Sequence, residues 1–131
     1  MNITKAAAAY WALIFALGFV LGTVRTLWGA QALGEANFIL IEIPVMLSAS
    51  WLAARWLVAR YEVPPGGPAL AMGGIAFALL MLAEAALTAM LGGNPAHWLA
   101  SLAAPPVLYG FLGQIAFGLM PWIVARSGGR A

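Results

Sequence analysis

Arg25, Glu42, Glu84 and Gln114 fall inside long apolar stretches of the sequence. A polar group in such a stretch needs a specific reason to be there, and ionisable ones usually have a function. An arginine beside two glutamates can form an ion pair, hold a proton or attract a cation. A glutamine amide can both donate and accept hydrogen bonds. These residue types therefore predict a polar cluster, if the fold brings them together.

The sequence lacks the residues that most other chemistry requires. It contains no Cys and one His, so disulfides, iron–sulfur clusters and cysteine-based zinc sites are excluded, and we expect neither metal nor cofactor. It has no P-loop, dinucleotide fingerprint, Ser/His/Asp set or His-Glu-x-x-His motif. The net charge of +2 comes from scattered basic residues, so we expect no nucleic-acid partner.

The composition defines the surroundings of these residues. Of the 131 residues, 64% are hydrophobic and 8% are charged, whereas an ordinary soluble domain carries about 25% charged residues. This excludes a soluble globular protein and makes the lipid bilayer the first partner. Four runs have about the length of roughly 20 residues that a spanning helix needs. They cover residues 6–28, 38–59, 70–91 and 106–124, separated by Gly- and Pro-rich breaks.

These runs predict an all-α integral membrane protein, a single domain over residues 1–131 that forms a four-helix antiparallel transmembrane bundle with short loops. Because the connections are short, we expect consecutive helices to be neighbours. Residues 96–104, which include Trp98, are a candidate short interfacial segment. The first run resembles a signal peptide, but it is longer than the usual 7–15 apolar residues, and Arg25 and Trp28 are unsuited to the region where cleavage would occur. We therefore expect a retained helix.

The basic residues predict an orientation. With four spans, both termini and the second connection lie on one side of the membrane. Arg25 is the only basic residue on the other side. The basic residues on the first side are Lys5, Arg55, Arg60, Arg126 and Arg130. By the positive-inside rule, this predicts a multi-pass protein of the inner (plasma) membrane with both termini in the cytoplasm.

Helical geometry then positions the polar residues. Arg25, Glu42 and Glu84 fall in the same outer half of the membrane, Tyr109 reaches the same level, and Gln114 lies near the middle of the fourth helix. Small residues mark the faces at which membrane helices pack closely. Arg25, Glu42 and Gln114 lie on such faces. Glu84 shares its helix face with bulky residues, so the sequence leaves open whether Glu84 faces the bundle or a partner protein. The small residues are Gly18, Gly22, Ala49, Ala53, Gly110 and Gly118.

Two interpretations of this cluster remain open. In one, Arg25 pairs with Glu42, the deeper Glu84 stays protonated, and an outward-facing pocket holds a proton, a cation or a polar head group. In the other, the pair fixes the register of the helices and Gln114 makes an ordinary interhelical hydrogen bond.

Three functions follow from this sequence. The favoured one is a protein that acts by contact, as an accessory or assembly subunit of a larger membrane complex. The alternative is a small transporter or channel built from several copies, which uses the Arg/Glu/Glu cluster. In size and helix count the chain resembles the small multidrug-resistance exporters, whose membrane glutamate lies in the first helix, where this chain has none. An enzyme acting on a lipid or isoprenoid, with Glu42 and Glu84 as acid and base, is the least favoured.

Overall fold

The computed structural model describes residues 3–104 and 107–127, and this part of the chain contains four helices long and apolar enough to cross a membrane. They run over Ile3–Gly29, Ala36–Arg60, Gly67–Met90 and Leu108–Arg126. The predicted all-α four-helix transmembrane bundle is confirmed, and every predicted end within the described residues lies within three residues of the observed one. The predicted start of the fourth span, Pro106, lies outside the described residues.

The first span is not a uniform α-helix. Helix α1, Ile3–Val24, continues into a π-helical turn, Arg25–Gly29, and then into the short α2, Ala30–Leu33. Such π turns are rare and commonly occur at functional sites. Gly34 has φ +87°, a left-handed conformation that glycine adopts without steric cost, and it ends this segment.

The remaining helices are α3, Glu35–Arg60; α4, Gly67–Met90; α5, Pro95–Ser101; and α6, Val107–Ser127. Asn94 caps α5, because its side-chain oxygen accepts a hydrogen bond from the Ala96 amide. Helix α5 occupies the region predicted as a short interfacial segment. Pro44 lies inside α3 and Pro121 inside α6.

The order of the helices around the bundle differs from the simplest expectation. Helix α1 packs against α3 and α4, and α6 packs against the same two helices, whereas α3 and α4 do not pack along their lengths. The expectation that all consecutive helices are neighbours is therefore wrong for this pair. The connection at 61–66 is long enough for this arrangement, since six residues reach up to about 20 Å and the diagonal of a bundle with 10 Å spacings is roughly 14 Å.

The apolar core lies in one half of the bundle, which we call the terminal half because α1 begins and α6 ends there. Its buried side chains include Ala6, Tyr10, Leu57, Met72 and Phe117. The polar residues predicted to cluster lie in the other half, which we call the opposite half. The bundle thus separates a half with an apolar, closely packed interior from a half whose interior contains charged side chains.

Candidate functional site

Arg25 and Glu42 join the first two spans in the opposite half. Arg25 begins the π-helical turn, and its Nη1 donates to Oε1 of Glu42 on α3 at 2.5 Å. The two side chains are 29% and 14% exposed, respectively. The guanidinium lies beside Gly22, where a Cβ would be in ordinary van der Waals contact with Nη2 of Arg25, at 3.7 Å. The ion pair is therefore largely buried inside the bundle.

Glu84 and Gln114 join the last two spans at a similar depth. Nε2 of Gln114 on α6 donates to Oε2 of Glu84 on α4 at 2.5 Å, and both residues are half-buried. Thr88 lies one turn further along α4, and its hydroxyl donates to the backbone oxygen of Glu84. Glu84 therefore faces a neighbouring helix of the bundle, although the residues that share its helix face are bulky.

Arg25 connects the two pairs, because its positive charge also interacts electrostatically with Glu84. Glu42, Glu84 and Gln114 each lie six residues from the opposite-side end of their span, or about 9 Å along the helix axis. Gln114 is therefore level with the glutamates and not nearer the middle of the membrane, as its position in the sequence indicated. We call Arg25, Glu42, Glu84 and Gln114 the polar cluster, to which each spanning helix contributes one side chain.

Tyr109 does not join the polar cluster. It is half-buried, and no hydrogen bond connects its hydroxyl to another described residue. Within the cluster, Oε1 of Gln114 is buried and has no hydrogen-bond partner among the described residues. A buried acceptor left unpaired in this way is uncommon in folded proteins.

A second polar contact, in the terminal half, was missed by the sequence reasoning. The Tyr10 hydroxyl donates to the backbone oxygen of Phe117 at 2.7 Å, and the two rings stack with centroids 4.3 Å apart. Pro121 lacks the amide hydrogen that would otherwise bond to this oxygen within α6, so Tyr10 satisfies the carbonyl that Pro121 frees. Ser50 on α3 is also buried. The proline four residues after Phe117 was the only signal in the sequence.

The small residues predicted for packing occupy different environments. A Cβ at Gly18 would lie 3.4 Å from Met46, and one at Gly118 would lie 3.2 Å from Phe77, whereas Gly110 has open space around it among the described residues. Ala49 and Ala53 pack against the apolar core.

A close approach of two helices involves a glycine that the sequence reasoning did not select. A Cβ on Gly73 of α4 would overlap the backbone oxygen of Gly118 on α6 and lie 2.9 Å from its carbonyl carbon. Helices α4 and α6, which carry Glu84 and Gln114, are therefore in backbone contact.

Basic and aromatic side chains pair at the terminal side. The guanidinium of Arg55 lies over the Trp51 ring, that of Arg60 over Tyr61 and that of Arg126 over Trp122, at 5.2, 5.5 and 4.7 Å from the ring centroids. These distances are within the usual cation–π range. Arg130, also predicted for this side, lies outside the described residues.

The fold and the polar cluster define a small multi-pass membrane protein, with four spanning helices linked in their opposite half by ionic and amide contacts. The chain matches no protein-family profile, no curated protein sequence and no solved structure. Within residues 3–104 and 107–127, no group of three or more His, Cys, Asp or Glu residues is arranged to hold a metal ion.

Proposed function

We propose that this chain acts by contact, as an accessory or assembly subunit of a larger membrane complex. One exposed face of α3 carries the proposal. It holds two large aromatic side chains, Trp51 and Trp56, which are 42% and 60% exposed, and Leu52 between them, also 60% exposed. We call this the docking face, and it consists of Ser48, Trp51, Leu52, Arg55 and Trp56.

The depth of Trp51 favours a protein partner over lipid. Trp51 lies nine residues before Arg60, the last residue of the span, and is thus about 13 Å along the helix from that end. Tryptophan in contact with lipid prefers the headgroup level, about where Trp56 lies. Exposed tryptophan and arginine side chains are, by contrast, enriched in the centres of protein interfaces.

Arg55 indicates the chemistry of the partner. Its guanidinium is exposed, stacks on Trp51 and forms no salt bridge with a described carboxylate. A membrane helix that presents a carboxylate or an unpaired carbonyl at this level would supply the missing acceptor. A two-fold contact between copies would bring two Arg55 side chains together on faces that carry no acid. We therefore propose a spanning helix of a different protein as the occupant.

The polar cluster supports the same function in another way. Its charged groups bond within the bundle and link neighbouring helices in pairs. The connections 30–35 and 61–66 have six residues each, and in the described part of the longer connection 91–107 the only helix is the seven-residue α5. A scaffold of this kind presents surfaces to a partner and offers little material for a catalytic site, so an enzyme is the least supported function.

The proposed location is the inner (plasma) membrane, with both termini in the cytoplasm. Lys5, Arg55, Arg60 and Arg126 are exposed in the terminal half, whereas Arg25 lies in the opposite half. Because basic residues are more frequent on the cytoplasmic side of membrane proteins, we propose that the terminal half faces the cytoplasm.

Photo-crosslinking from the docking face tests the proposal. A photoreactive amino acid replaces Leu52 in one variant and Leu82 in the control; Leu82 lies on α4 and is 67% exposed. After irradiation in native membranes, we expect the Leu52 variant to form a discrete adduct with a second protein and the Leu82 variant to crosslink only lipid. Extraction in mild detergent followed by native mass spectrometry should show that protein at fixed stoichiometry. Crosslinks only to lipid at both positions would contradict the docking face.

Transport by a homo-oligomer is the second candidate. The observation in its favour is the formal charge of the polar cluster, one cation against two carboxylates, together with the 29% exposure of the Arg25 side chain. In the same mass spectrometry experiment, a free homo-oligomer with no second protein would support transport and count against the accessory function.

A further inference from the structure

Within the polar cluster, Glu84 is the acidic group whose charge is not balanced by a salt bridge. The Arg25–Glu42 pair is the only salt bridge among the described residues, and it occupies Nη1 of Arg25 at 2.5 Å. Glu84 bonds instead to the neutral amide of Gln114. If all three groups were ionised, the cluster would hold one uncompensated negative charge about 9 Å into the span. Such a charge is unfavourable in a low-dielectric environment.

The other members of the polar cluster come from each of the other spanning helices. Helix α1 and its π turn contribute Arg25, which attracts Glu84 from a distance; α3 contributes Glu42, which occupies Arg25; and α6 contributes Gln114. His97 on α5 is exposed and forms no hydrogen bond or ion pair with this group. Binding of one proton is therefore enough to make the whole cluster neutral.

The amide of Gln114 shows where that proton would lie. Its Nε2 donates to Oε2 of Glu84, while its buried Oε1 has no donor. A carboxylic acid and a primary amide are complementary: the N–H donates to the C=O of the acid, and the O–H donates to the C=O of the amide. An ionised Glu84 leaves Oε1 unsatisfied, whereas a protonated Glu84 offers it a donor.

We propose that Glu84 is a proton-binding site, occupied at neutral pH, in which the carboxylic O–H of Glu84 donates to Oε1 of Gln114. A metal cation suits the site less well. The Gln114 N–H donates to Glu84, the positive charge of Arg25 also attracts Glu84, and a hard cation requires several oxygen ligands at once. This site does not depend on the docking face, so each proposal can fail without the other.

Infrared spectroscopy of the full chain tests the site directly. The protein is measured at neutral pH in a maltoside detergent, which has no carbonyl group to overlap the band of a protonated carboxylic acid. We expect one buried acid band that shifts in D₂O and disappears when the pH is raised far enough to ionise Glu84. The substitution Glu84→Gln, which preserves shape and neutrality, should remove this band. Glu62→Gln is the matched control, since Glu62 is exposed in the turn after α3.

Substitutions of Glu42 and Arg25 distinguish a proton-binding site at Glu84 from a hydrogen bond that is only structural. Glu42→Gln releases Arg25, which can then pair with Glu84, so the acid band should disappear although Glu84 is still present. Arg25→Gln removes the only cation of the cluster, so both glutamates should be protonated and the band should roughly double in intensity.

Several results would overturn the proposal. Absence of an acid band in the wild-type protein at neutral pH would contradict the proposal. Because this measurement needs no variant, it remains decisive even if a variant fails to fold. Persistence of the band in Glu84→Gln assigns it to another group. Retention of the full band in Glu42→Gln contradicts the charge balance. Loss of the wild-type band on addition of NaCl at constant pH identifies the ligand as a metal cation.

Discussion

Substitution of Gly73 by alanine tests the backbone contact between α4 and α6. Gly73 is buried, and a Cβ there would overlap the backbone oxygen of Gly118, with Cδ of Pro121 a further 3.4 Å neighbour. A flexible side chain can rotate away from an added methyl group, but a helix backbone beside a proline cannot do so locally. We therefore expect Gly73→Ala to push the two helices apart and to loosen the contact between Glu84 and Gln114.

The magnitude follows from two opposing effects. Replacing glycine by alanine within a helix gains about 1 kcal/mol. Overpacking an interior commonly costs about 1–3 kcal/mol, and a backbone overlap belongs at the upper end of this range. The net loss in the free energy of unfolding should be about 2 kcal/mol. The adjacent Gly74 is exposed and has nothing within 4 Å of its Cβ position, so Gly74→Ala should gain up to about 1 kcal/mol.

Unfolding by sodium dodecyl sulfate in mixed micelles, followed by circular dichroism, measures both variants against the wild-type protein. The two alanine substitutions make the same chemical change one residue apart, so the expected difference of about 3 kcal/mol reflects the helix contact alone. Equal stability of Gly73→Ala and Gly74→Ala would show that α4 and α6 do not approach as described.

Two further predictions concern the polar contacts. Tyr10→Phe leaves the Phe117 oxygen unsatisfied and should lower the free energy of unfolding by about 1–3 kcal/mol; in a Pro121→Ala background, where α6 regains its own amide donor, the loss should be smaller, and an undiminished loss in a double-mutant cycle would refute the capping role. Arg25→Ala leaves Glu42 either with an unpaired buried charge or with a bound proton, and protonation should keep the loss below the about 3–5 kcal/mol of a broken buried pair, whereas Arg25→Leu combined with Glu42→Leu should recover most of the stability. Failure of the double substitution to exceed Arg25→Ala in detergent unfolding assays would contradict a buried pair.

The sequence was sufficient for the spans and for most of the polar cluster. Long apolar runs interrupted by Gly and Pro leave few alternatives to spanning helices. Polar residues within such runs avoid lipid, and antiparallel alternation puts them at similar depths, so the meeting of Arg25 with Glu42 could be anticipated. Glu84 could not be assigned in the same way, because its large apolar neighbours on α4 left open whether it faces the bundle or a partner protein.

Other features depend on tertiary contacts that the sequence does not specify. A six-residue connection permits neighbouring or diagonal placement of α3 and α4, and the packing of all four helices decides between them. Pro121 indicates that the Phe117 carbonyl needs a donor but does not identify Tyr10, more than a hundred residues earlier. The π-helical turn at Arg25–Gly29 contains ordinary helix-compatible residues, and nothing in their spacing predicts the wider turn.

The contacts made by α6 have a consequence for how the protein is synthesised. Gln114 follows Glu84 by 30 residues, a delay of about 1.5–6 s at ordinary rates of chain elongation. Phe117, the partner of Tyr10, emerges at almost the same moment. The first three spans must therefore wait beside the insertion machinery with a carboxyl group and a tyrosine hydroxyl both unpaired. Entry of the last span supplies both partners together, so a chain truncated before α6 should be retained by membrane quality control and degraded.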